Sequence, residues 1–160
     1  MLNLGDAYEF GAVRNQADGG DFEMIDATEQ VLAGVRVLVV DDEKDARDVI
    51  AEVLGDAGAR VQTVSSVDEA LGSVDASRPD AIVSDIGMPK RDGYAFIHEL
   101  RTSARHDAQG LPVIAFTAFD RGVDRTRALL SGFTSHVSKT DSTDLATAVA
   151  NAIGRNVAPS

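Results

Sequence analysis

The segment "AIVSDIGMPKRDG" (residues 81–93) runs an apolar stretch, residues 81–83, straight into a carboxylate, Asp85, and then into a turn built on Gly87, Pro89 and Gly93. A short, partly β-branched apolar run bounded by such turn formers reads as a buried strand. An aspartate at the junction is a helix cap, a turn former or a reactive group. Which of these holds depends on what else in the chain reaches the same place.

Four further runs have the same character: "VRVLVV" (35–40), "ARVQTV" (59–64), "LPVIAFT" (111–117) and "FTSHVSK" (133–139), with "DAIVSD" (80–85) third in chain order. Between and after them, apolar residues recur at helical spacing over residues 44–57, 67–76, 92–105, 121–131 and 142–153. The first helix places Ala46, Val49, Ile50, Val53 and Leu54 on one stripe, and the last places Leu145, Val149 and Ile153 on another. Asp141, Ser142 and Thr143 offer side chains to cap that last helix. Gly58 and Gly132 fall just past helix ends, where a left-handed residue costs glycine least. The βα alternation argues for a parallel sheet covered by helices on both faces, and no longer repeat suggests a solenoid.

With 160 residues, 44% hydrophobic and 26% charged, the chain has room for one domain with a full core. Its 26 acidic and 15 basic side chains leave a net charge of -11, a surface that repels nucleic acid. The lack of cysteine excludes disulfides, thiolate zinc sites and a cysteine nucleophile. No apolar run approaches the roughly 18 residues of a membrane span, and the N-terminus does not read as a secretory leader. We therefore expect a cytoplasmic protein with neither a membrane nor a nucleic-acid partner. Residues 1–34 stand apart, with seven acidic residues against one basic residue, Arg14. They read as an acidic, solvated extension in which "FEMIDATEQVLAG" (22–34) forms one short helix. A partner-binding or dimerising arm is the second reading. The domain proper is expected over residues 35–154, with a tail at 155–160.

Parallel strands joined by right-handed crossovers point their carboxyl ends to one edge of the sheet, where ligands of open α/β sheets bind. That edge collects Asp41, Asp42 and Glu43 after the first strand, Asp85 after the third, Thr117 at the end of the fourth and Lys139 after the fifth. Clustered carboxylates repel unless a cation neutralises them. An all-oxygen set of this kind suits Mg²⁺, which keeps several waters and can grip a phosphoryl group as well. Phosphoryl transfer needs charge compensation, which Lys139 supplies as a point charge and Thr117 as a hydrogen-bond donor. Asp85 is then the nucleophile.

In these residues the chain resembles the receiver domains of response regulators in two-component signalling and phosphorelays. "RVLVVDDEKDAR", "DAIVSDIGMPKRDGYAFIHELR", "PVIAFTA" and "SGFTSHVSKT" match the family's successive segments in order, over about residues 34–154. "LAGVRVLVVDDE" is especially similar to the receiver modules of hybrid sensor histidine kinases. The resemblance implies a flavodoxin-like (βα)5 fold, a doubly wound parallel sheet of strand order 2-1-3-4-5. It also implies that Asp85 is the phosphoacceptor, that Asp42, Asp85 and the carbonyl of Gly87 ligate Mg²⁺, and that Asp41 acts through metal-bound water. Thr117 and Lys139 match the phosphoryl-contacting hydroxyl and cation. His136 stands where the family has a tyrosine or phenylalanine switch, and Thr117 couples to it.

The implied donor is a sensor histidine kinase or a histidine phosphotransfer protein. The implied output is a protein partner on the face of helix four, strand five and helix five, and a homodimer stays open. Such a domain makes no metabolic product and is not an enzyme in the ordinary sense. Only "GRNVAPS" follows Ile153, so output through protein contacts is expected. Thr140 follows Lys139 where the family has a cis proline, which leaves the aim of the lysine to be determined. His136 is aromatic but ionisable, so a weaker or pH-sensitive switch is expected; a partly exposed strand histidine with no switching role is an equal reading.

Two other classes compete. A haloacid-dehalogenase-type phosphatase carries its nucleophile on the first strand in an Asp-x-Asp arrangement, which "VVDDEKD" lacks. A phosphorylation-independent, receiver-like protein-binding scaffold is the alternative, against which the intact set Asp42, Asp85, Thr117 and Lys139 counts. Gly87 and Phe119 lie two residues beyond Asp85 and Thr117, positions that in receivers influence access of hydrolytic water. Phe119 is expected to screen an aspartyl phosphate, so Phe119→Ala shortens its half-life; an unchanged or longer lifetime contradicts that role.

Overall fold

Five strands and five helices alternate along the described residues: β1 (Arg36–Val40), α1 (Lys44–Asp56), β2 (Arg60–Val64), α2 (Val67–Ser77), β3 (Ala81–Ser84), α3 (Gly93–Thr102), β4 (Val113–Thr117), α4 (Gly122–Ser131), β5 (Ser135–Ser138) and α5 (Leu145–Ala152). The computed structural model describes residues 30–103, 105–118, 122–140 and 144–155, at 122 and 123 through the backbone alone. All strand pairs are parallel, in the order β2-β1-β3-β4-β5, which is the flavodoxin-like arrangement. Among the described residues no helix is long and apolar enough to cross a membrane.

The sheet divides the core in two because successive strand residues face opposite sides. Leu38, Val40, Ile82, Val113 and Ala115 pack with α2, α3 and α4 through Leu71, Val74, Phe96, Ile97, Leu100 and Ala128. Val37, Val39, Val83, Ile114 and Phe116 pack on the other face with Ile50 and Leu54 of α1 and Leu145 and Val149 of α5. β3 and β4 are buried throughout and β1 is buried beyond Arg36, whereas the edge strands β2 and β5 are half-buried or exposed. That contrast explains why the central runs are continuously apolar while "RVQTV" and "SHVS" are mixed.

Several expectations are refined. Val49 does not join the buried stripe of α1: it is 51% exposed, and only Ile50 and Leu54 are buried there. The buried face is therefore narrower than the run of apolar residues. α3 ends at Thr102 rather than 105, because Ser103 leaves the helix with extended backbone while its N–H still bonds the Glu99 carbonyl. Gly58 and Gly132 both have positive φ, and a Cβ on Gly58 would lie 2.9 Å from the Ala33 backbone. Within the stretch read as an extension, Val31 and Leu32 are fully buried in the α1/α5 core. The Leu32 N–H donates to the Ala57 carbonyl at 2.8 Å. Asp141, Ser142 and Thr143, read as caps of the last helix, lie outside the described residues, as do residues 1–29.

Past α3 the chain folds back and buries His106, 2% exposed, between two helices. Its Nδ1 lies 2.8 Å from Asp75 Oδ1 on α2 and its Nε2 lies 2.9 Å from Glu99 Oε2 on α3. The hydrogen bonds to Asp75 and Glu99 raise the imidazole above its ordinary pKa of 6.5, against the opposing pull of burial. A raised folded-state pKa contributes stability that is complete below 6.5 and is lost as pH rises through the raised value. Denaturant unfolding at a series of pH values should show that decline above pH 6.5 in the wild type. A His106→Asn chain should lack it.

Candidate functional site

The sheet's backbone ladder continues one residue past the strands and fixes the groups that sequence reasoning placed at this edge. The Asp85 N–H donates to the Val40 carbonyl at 2.9 Å, the Lys139 N–H to the Thr117 carbonyl at 2.9 Å, and the Asp41 N–H to the Val64 carbonyl at 3.2 Å. Asp41, Asp85 and Lys139 are thus positioned by strands β1, β3 and β5 together with their neighbours. Asp41, Asp42 and Asp85 each present a carboxylate oxygen within 4.8 Å of the others. Lys139 Nζ donates to Asp41 Oδ2 at 2.7 Å and to Asp85 Oδ2 at 3.2 Å. No cis peptide bond is present among the described residues, so the lysine reaches the site with a trans linkage to Thr140.

The cluster is unevenly exposed. Asp41 is fully buried, and its second oxygen, Oδ1, accepts the Glu43 N–H at 3.0 Å. Asp85 is nearly buried, with Oδ1 accepting its neighbour's N–H, from Ile86, at 2.8 Å. Asp42 faces solvent. Burial pushes the Asp85 carboxyl above its ordinary 3.8, opposed by the charge of Lys139 and reinforced by that of Asp41. Burial alone would lower the Lys139 ammonium, but its hydrogen bond to Asp41 and the charge of Asp85 outweigh it and hold the group above 10.5. Three carboxylates facing one ammonium form an oxygen-only donor set with excess negative charge, which fits a hard divalent cation.

Thr117, 1% exposed, ends β4 beside this cluster. Gly87 is exposed in the loop after Asp85. His136 is half-buried in the middle of β5, in register with Ala115. Phe119 lies outside the described residues. Sequence reasoning missed two supports of the site. Arg47 Nη1 donates to the Asp41 carbonyl at 2.8 Å and fixes the peptide between the paired aspartates. Gly93, first residue of α3, lies so close to the end of β3 that a Cβ there would sit 2.5 Å from the Asp85 carbonyl oxygen. "RDG" after the turn carried that second signal, since glycine is required where two backbones touch.

A family model described as the response regulator receiver domain matches residues 37–150. The chain belongs to the response regulator receiver family. An uncharacterized 14.6 kDa protein of Leptolyngbya boryana is 40% identical over 110 residues, 69% of this chain and 82% of its own length. Response regulator Rre1 of Synechocystis is 34% identical over 128 residues, 79% of this chain, which spans only 54% of that relative. Among solved structures, the receiver domain of a Pseudomonas aeruginosa sensor histidine kinase superposes with a TM-score of 0.67 at 31% identity. The match covers 76% of this chain and 99% of that one, and that domain holds a magnesium ion in its active-site cleft.

The raised Asp85 carboxyl makes the receiver's stability fall as pH climbs from 3.8 through the raised value, because the folded chain binds the proton more tightly than the unfolded one. Ionised Asp85 is therefore a net cost at neutral pH. In magnesium-free buffer Asp85→Asn should raise the thermal midpoint. Calorimetry checks it, and a lowered midpoint would contradict the electrostatic account.

Proposed function

We propose that this receiver accepts a phosphoryl group on Asp85 from the phosphohistidine of a histidine kinase or histidine phosphotransfer protein. The observation that carries the reading is Lys139 Nζ set between Asp41 and Asp85, with Asp42 completing an oxygen cluster at the carboxyl edge of the sheet. An Asp85 carboxylate oxygen attacks phosphorus, the phosphorus–nitrogen bond breaks, and the donor imidazole leaves with the electron pair. Lys139 compensates charge on the phosphoryl oxygens and Thr117 donates a hydrogen bond to them. Asp42, Asp85 and the Gly87 carbonyl would hold Mg²⁺, with Asp41 acting through a bound water; when bound, the ion neutralises phosphoryl charge. Water later hydrolyses the acyl phosphate, at a rate tuned by Gly87 and Phe119.

Output follows from the charge added at Asp85. Thr117, drawn toward the phosphoryl group, shifts the chain after β4 and biases the face made by α4, β5 and α5, with His136 in the switch position. Leu130 and Leu129, 84% and 40% exposed, give α4 apolar contact surface for a protein partner. The cytoplasm, where phosphohistidine donors are made, is the proposed location.

Acetyl phosphate with Mg²⁺ tests the reading on the intact chain by mass spectrometry. The wild type should gain one phosphoryl group on Asp85, Asp85→Asn none, and Lys139→Ala should be labelled roughly 100-fold more slowly. An unmodified wild type would instead support a phosphorylation-independent scaffold.

A further inference from the structure

Beyond the site, five side chains form one string along α2, the phosphoacceptor loop and α3. Arg91, six residues after Asp85, donates from Nη1 to Asp68 Oδ1 at 2.8 Å and from Nη2 to Glu99 Oε1 at 2.9 Å. The other oxygen of Glu99 meets His106 Nε2 at 2.9 Å, and His106 Nδ1 meets Asp75 Oδ1 at 2.8 Å. The string starts in the first turn of α2 and returns to that helix near its end, so it clamps α2 to α3 at two levels. It also grips the loop that carries Gly87.

The clamp bears on the phosphoacceptor through backbone contact. The Gly93 N–H donates to the Ile86 carbonyl at 2.7 Å, and the Cα of Gly93 rests against the Asp85–Ile86 backbone with no room for a side chain. Any shift of α3 along its axis is therefore a shift of Asp85. Glu99 fixes α3 along that axis by holding Arg91 on one side and His106 on the other. Ionised carboxylates only accept, so both contacts of His106 are satisfied when both ring nitrogens carry hydrogen. The charged groups around that ring are Asp75 of α2, Glu99 of α3, Arg78 at the end of α2, which donates to the His106 carbonyl, and Arg105 and Asp107 beside it in the loop.

We propose that Arg91, Glu99 and His106 are positioning residues for the phosphoacceptor loop, the imidazolium of His106 locking α3 so that Asp85 and Gly87 stay aligned for Mg²⁺ and the phosphoryl group. The inference rests on the phosphoacceptor reading above. It assigns to this chain a support for the site that lies outside the carboxylate cluster, with His106 its buried member.

Calorimetric Mg²⁺ titration of the full chain, with acetyl phosphate labelling and thermal midpoints measured in parallel, tests it. Arg91→Ala should weaken Mg²⁺ binding roughly 10-fold and slow labelling to match, as loss of a group that orients metal ligands does. Arg91→Lys, which keeps one ion pair, should recover part of both, and His106→Asn should act in the same direction as Arg91→Ala. If His106→Asn fails to fold, Arg91→Ala decides alone, since the arginine side chain is 39% exposed and its loss leaves the core untouched. A wild type that neither binds Mg²⁺ nor is labelled overturns the phosphoacceptor reading and this inference with it. A competent wild type matched by folded Arg91→Ala and His106→Asn chains overturns the inference alone.

Discussion

The ammonium of Lys139, set between Asp41 and Asp85, joins residues 98 and 54 positions apart in sequence. At an effective dielectric of about 20, charges about 4 Å apart attract by about 4 kcal/mol. Removing each ion from water costs several kcal/mol. The two terms are of the same order, so this bridge does not hold the domain together; the domain must hold the bridge. It does so through main-chain hydrogen bonds that carry the sheet ladder into Asp41, Asp85 and Lys139 themselves, leaving only side-chain torsions to be set locally.

Stability is supplied elsewhere. The two apolar layers lie along the strands, and the amino edge of the sheet, opposite the site, is closed by polar staples. Arg155 donates to the carbonyls of Val31 and Ala33 at 2.8 and 3.1 Å, tying the end of α5 to the turn that precedes β1. Arg36 reaches the carbonyls of Ser77 and Arg78, and its N–H meets Asp80 Oδ2 at 2.9 Å, closing the turn between α2 and β3. With one edge sealed in this way, the opposite edge can carry three mutually repelling carboxylates. The strain of that cluster falls on Asp85, which is nearly buried and charged, and not on the core.

The fold was legible because its signals are local. Val37 through Val40, residues 81–83 and Val113 through Phe116 are apolar at every position, as strands covered on both faces must be, and the turns between them carry their own chemistry. The site was legible for a related reason: in a parallel sheet the carboxyl edge follows from topology alone, so Asp41, Asp42, Asp85, Thr117 and Lys139 could be gathered before any coordinates. What stayed hidden depends on contacts between distant residues. "HDAQG" (106–110) reads as an ordinary polar loop, and nothing near His106 says that a carboxylate 31 residues earlier will meet its ring. Val49 failed for the opposite reason, since helical spacing marks which residues share a face but not how wide a face the sheet can cover.

The same geometry divides the site into a fixed part and a part free to respond. Asp41 has no exposed surface, and its two oxygens are taken by the Glu43 N–H and Lys139, with its carbonyl held by Arg47. Lys139 is therefore anchored on Asp41 by its shorter contact, at 2.7 Å, and meets Asp85 by the longer one, at 3.2 Å. An ammonium has three donors, so it can keep the first contact while following oxygens added to Asp85. On the proposed reading, then, phosphorylation would not displace the lysine. The change would have to be taken up by the other group at the edge, Thr117, and by the chain that leaves β4 toward α4.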